Sequence, residues 1–171
     1  MTDDFRRIEE DDDIRVVVET IGGVEAAYEY TRRALAAGKH VVTANKQLVA
    51  EKGAELLALA KKKNVNYLFE ASVGGGIPIL HPLTQCMAAN RIDEIYGILN
   101  GTSNYILTRM VRTGAFFTAA LREAQAKGYA EADPTADVEG IDAGRKICIL
   151  ADLAFGTQVD PAEVPKEGIS K

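Results

Sequence analysis

Asp142 and Lys146 lie four residues apart in Asp142-Ala-Gly-Arg-Lys146. On a helix that spacing sets a carboxylate and an ammonium on one face. Exposed to solvent, such a pair contributes only about 0.3–0.5 kcal/mol. Continued in helical steps, the same line reaches Ile149 and Leu153. At about 100° per residue all four side chains fall within a sector of about 60°. The pair therefore heads an apolar stripe that faces inward, where ions are costly unless they serve a purpose. A functional role accounts for this placement better than a surface ion pair does.

Other candidates surround this stripe in the sequence. Glu131, Asp133 and Asp137 crowd the stretch just before it. Turn and N-cap chemistry around Pro134 and Thr135 suffices for Asp133, while Glu131 stays open between a binding role and a plain loop acid. Lys46 follows a β-branched run at His40-Val-Val-Thr-Ala44. A loop lysine and an ammonium poised over a cleft fit it equally. The turn Glu70-Ala-Ser-Val-Gly-Gly-Gly76 offers a carboxylate and several carbonyls, which is hard-cation chemistry. A helix-start nest with glycines at positive φ is the alternative there. Its three glycines are no dinucleotide fingerprint, since no G-x-G-x-x-G run follows a first strand. Cys86 and Cys148 sit among apolar neighbours without C-x-x-C spacing, so two buried free thiols are expected. His40 and His81 are too far apart in sequence to suggest a metal site.

The elements that would position these residues read as an alternation. Residues 14–19 form a β-branched strand, 24–37 a helix ending at Gly38, and 40–44 a second strand. A helix over about 51–63 and a third strand at 66–71 follow. Short links between them imply right-handed crossovers and a parallel, doubly wound, Rossmann-like sheet covered on both faces. Ligands in such sheets sit at the carboxyl ends of the strands. Beyond Gly76 the pattern changes to an α+β second domain. Helices are expected over 78–89, 103–112 and 118–126, a strand over 92–99, and one long helix from about 135 to 155. The domain change is placed near Gly74 to Gly76, dividing the chain into 1–73 and 74–171.

Composition narrows the partners. With 47% hydrophobic and 26% charged residues among 171, the chain is an ordinary globular sequence rather than a disordered one. A net charge of −5 argues against nucleic acid, which requires clustered Lys and Arg. The single basic run, Lys61-Lys62-Lys63, reads as the end of a helix beside the negative pole of its dipole. No apolar run approaches the roughly 20 residues a membrane span needs. With no signal peptide ahead of the acidic start, a cytoplasmic protein is expected.

Taken together, four segments resemble homoserine dehydrogenase: Ala44-Asn-Lys46, Glu70-Ala-Ser-Val-Gly-Gly-Gly-Ile-Pro-Ile79, Leu99-Asn-Gly-Thr-Ser-Asn-Tyr-Ile106, and Gly128-Tyr-Ala-Glu-Ala-Asp-Pro134 through Asp142-x-x-x-Lys146. They occur in that family's order between about Val16 and Phe155. The resemblance implies reduction of L-aspartate 4-semialdehyde to L-homoserine with NADH or NADPH, in the route to threonine, methionine and isoleucine. Lys146 would protonate the carbonyl oxygen as hydride arrives, Asp142 would orient it or hold the substrate amino group, and Lys46 would stand in the cleft near the nicotinamide. Glu131, Gly101, Thr102, Tyr129 and Asp137 would bind substrate. Thr20, Ile21, Gly22, Asn45 and Lys46 would touch NAD or NADP. Glu70 with the carbonyls of Val73, Gly75 and Ile77 would hold a structural monovalent cation, sodium. The chemistry is coherent, because hydride addition builds an alkoxide that a nearby ammonium both stabilises and protonates. A different aldehyde oxidoreductase, such as a semialdehyde dehydrogenase, would require a reactive cysteine in an electropositive setting, and neither Cys86 nor Cys148 has one.

The family opens with a strand, a G-x-G-x-x-G turn and a helix, and continues past the Pro-rich end seen here. An internal fragment is therefore expected, with weak cofactor affinity for want of the phosphate-binding turn. A non-catalytic folding and dimerisation module is the alternative. A sheet with a bare edge invites association, and the second domain would supply a homodimer interface.

Overall fold

The computed structural model describes residues 2–170. Three short strands, β1 (Val16–Glu19), β2 (His40–Thr43) and β3 (Tyr67–Leu68), form one parallel sheet in the order β1-β2-β3. Val16 pairs with His40, and Val41 with Tyr67. A one-turn helix, α1 (Arg6–Glu9), precedes the sheet, with the Phe5 ring beside it 4.7 Å from the Tyr30 ring and tilted 40° to it. The crossovers are α2 (Glu25–Ala36) and α3 (Lys46–Lys63). This is the expected α/β architecture with a Rossmann-like parallel sheet.

Local sequence explains where these helices begin and end. Asn45 caps α3 by accepting the Leu48 N–H at 3.0 Å, so the helix begins five residues before the apolar periodicity becomes visible. It ends at Asn64, whose backbone turns left-handed at φ 54°. Lys61, Lys62 and Lys63 occupy its last turn, as the basic run suggested.

Among the described residues, helices cover only one face of the sheet rather than both. Successive right-handed crossovers in one direction across a sheet put their helices on the same side, and α2 and α3 pack together there. Val41, Thr43 and Tyr67 point into that layer and are buried. Val16, Val18 and Leu68 point the other way and are 52%, 66% and 52% exposed.

The second half is helical. α4 (Gly101–Thr113) and α5 (Phe117–Ala126) form a hairpin, followed by α6 (Thr135–Val138) and α7 (Ile141–Phe155). The expected helix over 78–89 shrinks to a wide turn at Pro82–Cys86. The expected strand over 92–99 is absent, because a strand needs a pairing ladder and nothing among the described residues pairs with this segment. Tyr96 and Ile98 are instead exposed. The single helix expected over 135–155 is two, broken at Gly140, which adopts φ +75°. Cys148 is buried as expected, but Cys86 is exposed at the wide turn.

α7 lies against α3, and Cys148, Ile149 and Leu150 join Leu35, Val41, Leu48 and Leu56 in one core. Each such aliphatic side chain contributes about 1.5–3 kcal/mol on burial. A smaller core gathers Ile106, Ala120, Ala124, Ala130 and Val138 under the hairpin. The packing of α7 on α3 brings the start of one helix to the start of the other. No helix among the described residues is long and apolar enough to cross a membrane.

Candidate active site

Lys46 is the first residue of α3, directly after the β2 strand and its Asn45 cap. An ammonium at the positive end of a helix dipole is unfavourably placed, and an anion offsets it. Asp142, in the first turn of α7, supplies that anion. Its Oδ1 lies 3.2 Å from Lys46 Nζ, and its Oδ2 lies 2.6 Å from Lys146 Nζ. Lys146 also donates to the Leu99 carbonyl at 2.8 Å. Below the pair, Ile149 is 2% exposed and Leu153 packs against the same core, so the inward stripe is real.

Asp142 is 7% exposed. Burial pushes its carboxyl up, but the Lys146 and Asn100 hydrogen bonds, with the charges of Lys146 and Lys46, more than offset that push. The carboxyl therefore lies below the usual aspartate range. One carboxylate thus holds two ammonium groups drawn from two helices.

Two cavities meet at this cluster, and Lys46, Asp137 and Asp142 line both. One, of about 470 Å3, opens at the carboxyl ends of β1 and β2 and is bordered by Thr20, Ile21, Gly22, Asn45 and Glu131. Asn45 organises this side, because its Nδ2 donates to the carbonyls of Ile21 (3.0 Å) and Gly23 (2.7 Å). The other cavity, of about 540 Å3, is bordered by Gly101, Thr102, Tyr129 and Lys146. Thr102 Oγ1 donates to the Tyr129 carbonyl at 2.7 Å. The Tyr129 ring meets Tyr105 edge-on at 5.0 Å. Tyr105 is held in turn by Glu123, whose carboxyl Lys127, Tyr105 and Arg109 pull down to about 2. Lys46, Asp142 and Lys146 are therefore in direct contact. Glu131 borders the first cavity and Lys146 the second, with Asp142 between them.

Asp133 does local work, accepting the Thr135 N–H and hydroxyl. Glu70 accepts the N–H groups of Ile79, Leu80 and His81 at 2.6, 2.9 and 2.7 Å, capping the helical turn that follows. Gly74 and Gly75 take φ +81° and +60°. These are features of the helix-start alternative. Among the described residues, no backbone bond ends on the carbonyls of Val73, Gly75 or Ile77. A Cβ at Gly74 would fall 2.9 Å from the Ile77 oxygen. No cluster of three His, Cys, Asp or Glu side chains suited to a metal occurs among the described residues.

Sequence reasoning assigned no site role to three residues that border this cluster. Asn100 donates from Nδ2 to Asp137 Oδ1 at 2.7 Å and to Asp142 Oδ2 at 2.9 Å. Its visible signal was its place in the Leu99–Ile106 segment that carries the family resemblance. Arg145 borders the first cavity, one step along α7 from Lys146. Glu19, buried at the end of β1, accepts from the Thr43 hydroxyl and ties the two strand ends beneath that cavity.

With this geometry in place, comparison with known proteins is specific. The family model described as "Homoserine dehydrogenase, NAD binding domain" matches residues 1–70. The one described as "Homoserine dehydrogenase" matches residues 78–171. A homoserine dehydrogenase of Neisseria gonorrhoeae is 55% identical over 159 residues, 93% of this chain and 37% of that protein. One from Bacillus subtilis is 50% identical over 171 residues, 100% of this chain and 40% of that protein. Among solved structures, a homoserine dehydrogenase from Thiobacillus denitrificans superposes with a TM-score of 0.93 at 51% identity, covering 99% of this chain and 39% of that one. A hyperthermophilic archaeal homoserine dehydrogenase in complex with NADPH gives a TM-score of 0.86 at 31% identity, covering 98% and 51%. The chain thus spans about two fifths of the length of the curated relatives it matches.

Proposed function

This chain belongs to the homoserine dehydrogenase family, and from that premise we propose that the Lys46–Asp142–Lys146 cluster is a catalytic centre interconverting L-aspartate 4-semialdehyde and L-homoserine. The observation behind this reading is that one buried carboxylate joins two ammonium groups where two cavities meet. NAD or NADP, when bound, supplies or accepts the hydride. The first cavity suits its nicotinamide end, since it is open at the strand ends and bordered by Thr20, Ile21, Gly22, Asn45 and Lys46.

Lys146 donates a proton from Nζ to the carbonyl oxygen as the alkoxide builds, and takes it back in the oxidative direction. Asp142 holds and aims Lys146, and Lys46 adds a second positive group at the same face. Glu131 and Asp137 supply negative charge for the substrate ammonium. Gly101, Thr102 and Tyr129 border the substrate side. The turn of Glu70, Val73, Gly75 and Ile77 fits a monovalent cation through its unengaged carbonyls, with Glu70 also serving as a cap. Residues 1–73 belong to the cofactor and 74–171 to catalysis and dimerisation. The biosynthesis of threonine, methionine and isoleucine, a homodimer and a cytoplasmic setting complete the reading.

The direct test follows nicotinamide absorbance on mixing the chain with L-homoserine and NAD+ or NADP+. With cofactor affinity weakened by the missing phosphate-binding turn, any reduction is expected to be slow and to require high cofactor concentration. Lys146→Met is expected to slow it by about a further 10²–10⁴-fold. A Lys146→Met chain as fast as the unmodified one overturns the assignment. Absence of reduction, with homoserine still bound in calorimetry and binding weakened by Glu131→Gln, identifies a binding module without turnover.

A further inference from the structure

Asn100 has no part in the chemistry just described, yet its side chain joins three helices. Its Oδ1 accepts the Ser103 N–H at 2.8 Å and the Ser103 hydroxyl at 2.9 Å, which caps α4. A cap uses only the acceptor. The amide has two further protons to place, and Nδ2 reaches Asp137 on α6 and Asp142 on α7. Asn100 is 7% exposed, so water does not stand in for either bond. Two carboxylates facing the same small group disfavour each other's charge, and a neutral double donor between them relieves that conflict without adding a cation.

We propose that Asn100 is a positioning residue that bridges Asp137 and Asp142, keeping Asp142 ionised beside its neighbour and so preserving the anion that holds Lys146. The inference deepens the homoserine dehydrogenase reading and rests on it for its catalytic meaning. The charged groups around Asp142 are Lys46 from α3, Lys146 and Arg145 from its own helix, and Asp137 from α6, with Glu131 and Asp133 on the segment before α6. The lysines favour the ionised form and burial opposes it. Asn100 is the neutral donor that links Asp142 to the acid nearest in the network.

The test is an acid titration of the whole chain, following the aspartate carboxyl carbons by ¹³C NMR. Asn100→Ser retains a good N-cap for α4 but is too short to span both carboxylates. The Asp142 midpoint is expected to move up in this variant, with helix content by circular dichroism unchanged. Ser103→Ala removes one partner of the cap, keeps the bridge, and is expected to leave that midpoint in place. In the unmodified chain, the two Nδ2 proton resonances of Asn100 should shift together with the Asp142 titration. An unmoved Asp142 midpoint in folded Asn100→Ser overturns the proposal, as do Asn100 side-chain protons that stay flat through the titration. If Asn100→Ser fails to fold, the proton readout in the unmodified chain decides. Neither measurement uses turnover, so an inactive chain counts against the proposed function and leaves this inference to its own result.

Discussion

Asp142 is nearly stripped of water and still charged, because the donors around it outweigh the cost of burial. That balance makes stability depend on pH in a definite direction. A carboxyl depressed in the folded state contributes stability that is complete above its unfolded value, near pH 3.9. The contribution is lost as pH falls through the lower folded value. Asp142→Asn removes this dependence. At neutral pH it also leaves Lys146, whose side chain is 14% exposed, without its anion. The expected loss is on the order of 3 kcal/mol at pH 7, measured by urea denaturation. The gap between variant and parent should narrow as the titration reaches acid pH. Equal stability at pH 7 would mean that the cluster contributes nothing to folding. Much of this centre was legible in the sequence, since helical geometry alone aligns Asp142, Lys146, Ile149 and Leu153. Asn100 was not, because its second and third partners lie 37 and 42 residues away, and no local pattern encodes such a distance.

Gly140 separates α6 from α7 and so sets the angle between Asp137 and Asp142. The window from Thr135 to Phe155 is rich in helix formers, and an isolated glycine in such a pattern is ordinarily tolerated. Only the backbone at φ +75° reveals the break. A side chain there would adopt a conformation that costs about 1–2 kcal/mol, with its Cβ 3.4 Å from the Glu167 carbonyl. Gly140→Ala is accordingly expected to lower the unfolding free energy by about that amount. It should also shift the Asp137 and Asp142 resonances while sparing those of α2. An unchanged spectrum around α6 would show that the break does not position the acids. The sheet elements were legible for a simpler reason, since β-branched runs at residues 16–18 and 40–43 carry their own signal. Residues 92–99 carry isolated β-branched residues at Ile92, Ile95 and Ile98, but strand identity depends on a partner that local sequence does not specify.

At the scale of the molecule, several apolar side chains among the described residues are left uncovered, with Val111 and Phe116 on the helical hairpin among them. Val16, Val18 and Leu68 lie on the open face of the sheet, and Tyr96 (88% exposed) and Ile98 (77%) lie on the unpaired segment. Apolar surface of this kind favours association. The proposed homodimer should therefore appear as a doubled mass in light scattering, and Tyr96→Lys with Ile98→Lys should return it to the monomer value. A monodisperse monomer in the unmodified chain counts against that proposal. The two cysteines have a different use. Cys86 faces solvent on the wide turn, whereas Cys148 is 0% exposed on α7 and burial pushes its thiol up. A thiol-specific dye should label the first rapidly and the second only when α7 lifts from α3. The native protein thus contains both a ready attachment point for a fluorophore, outside the lining of the two cavities at the Lys46–Asp142–Lys146 contact, and a chemical clock in its core. The slow labelling rate of Cys148 would report how often the two halves come apart.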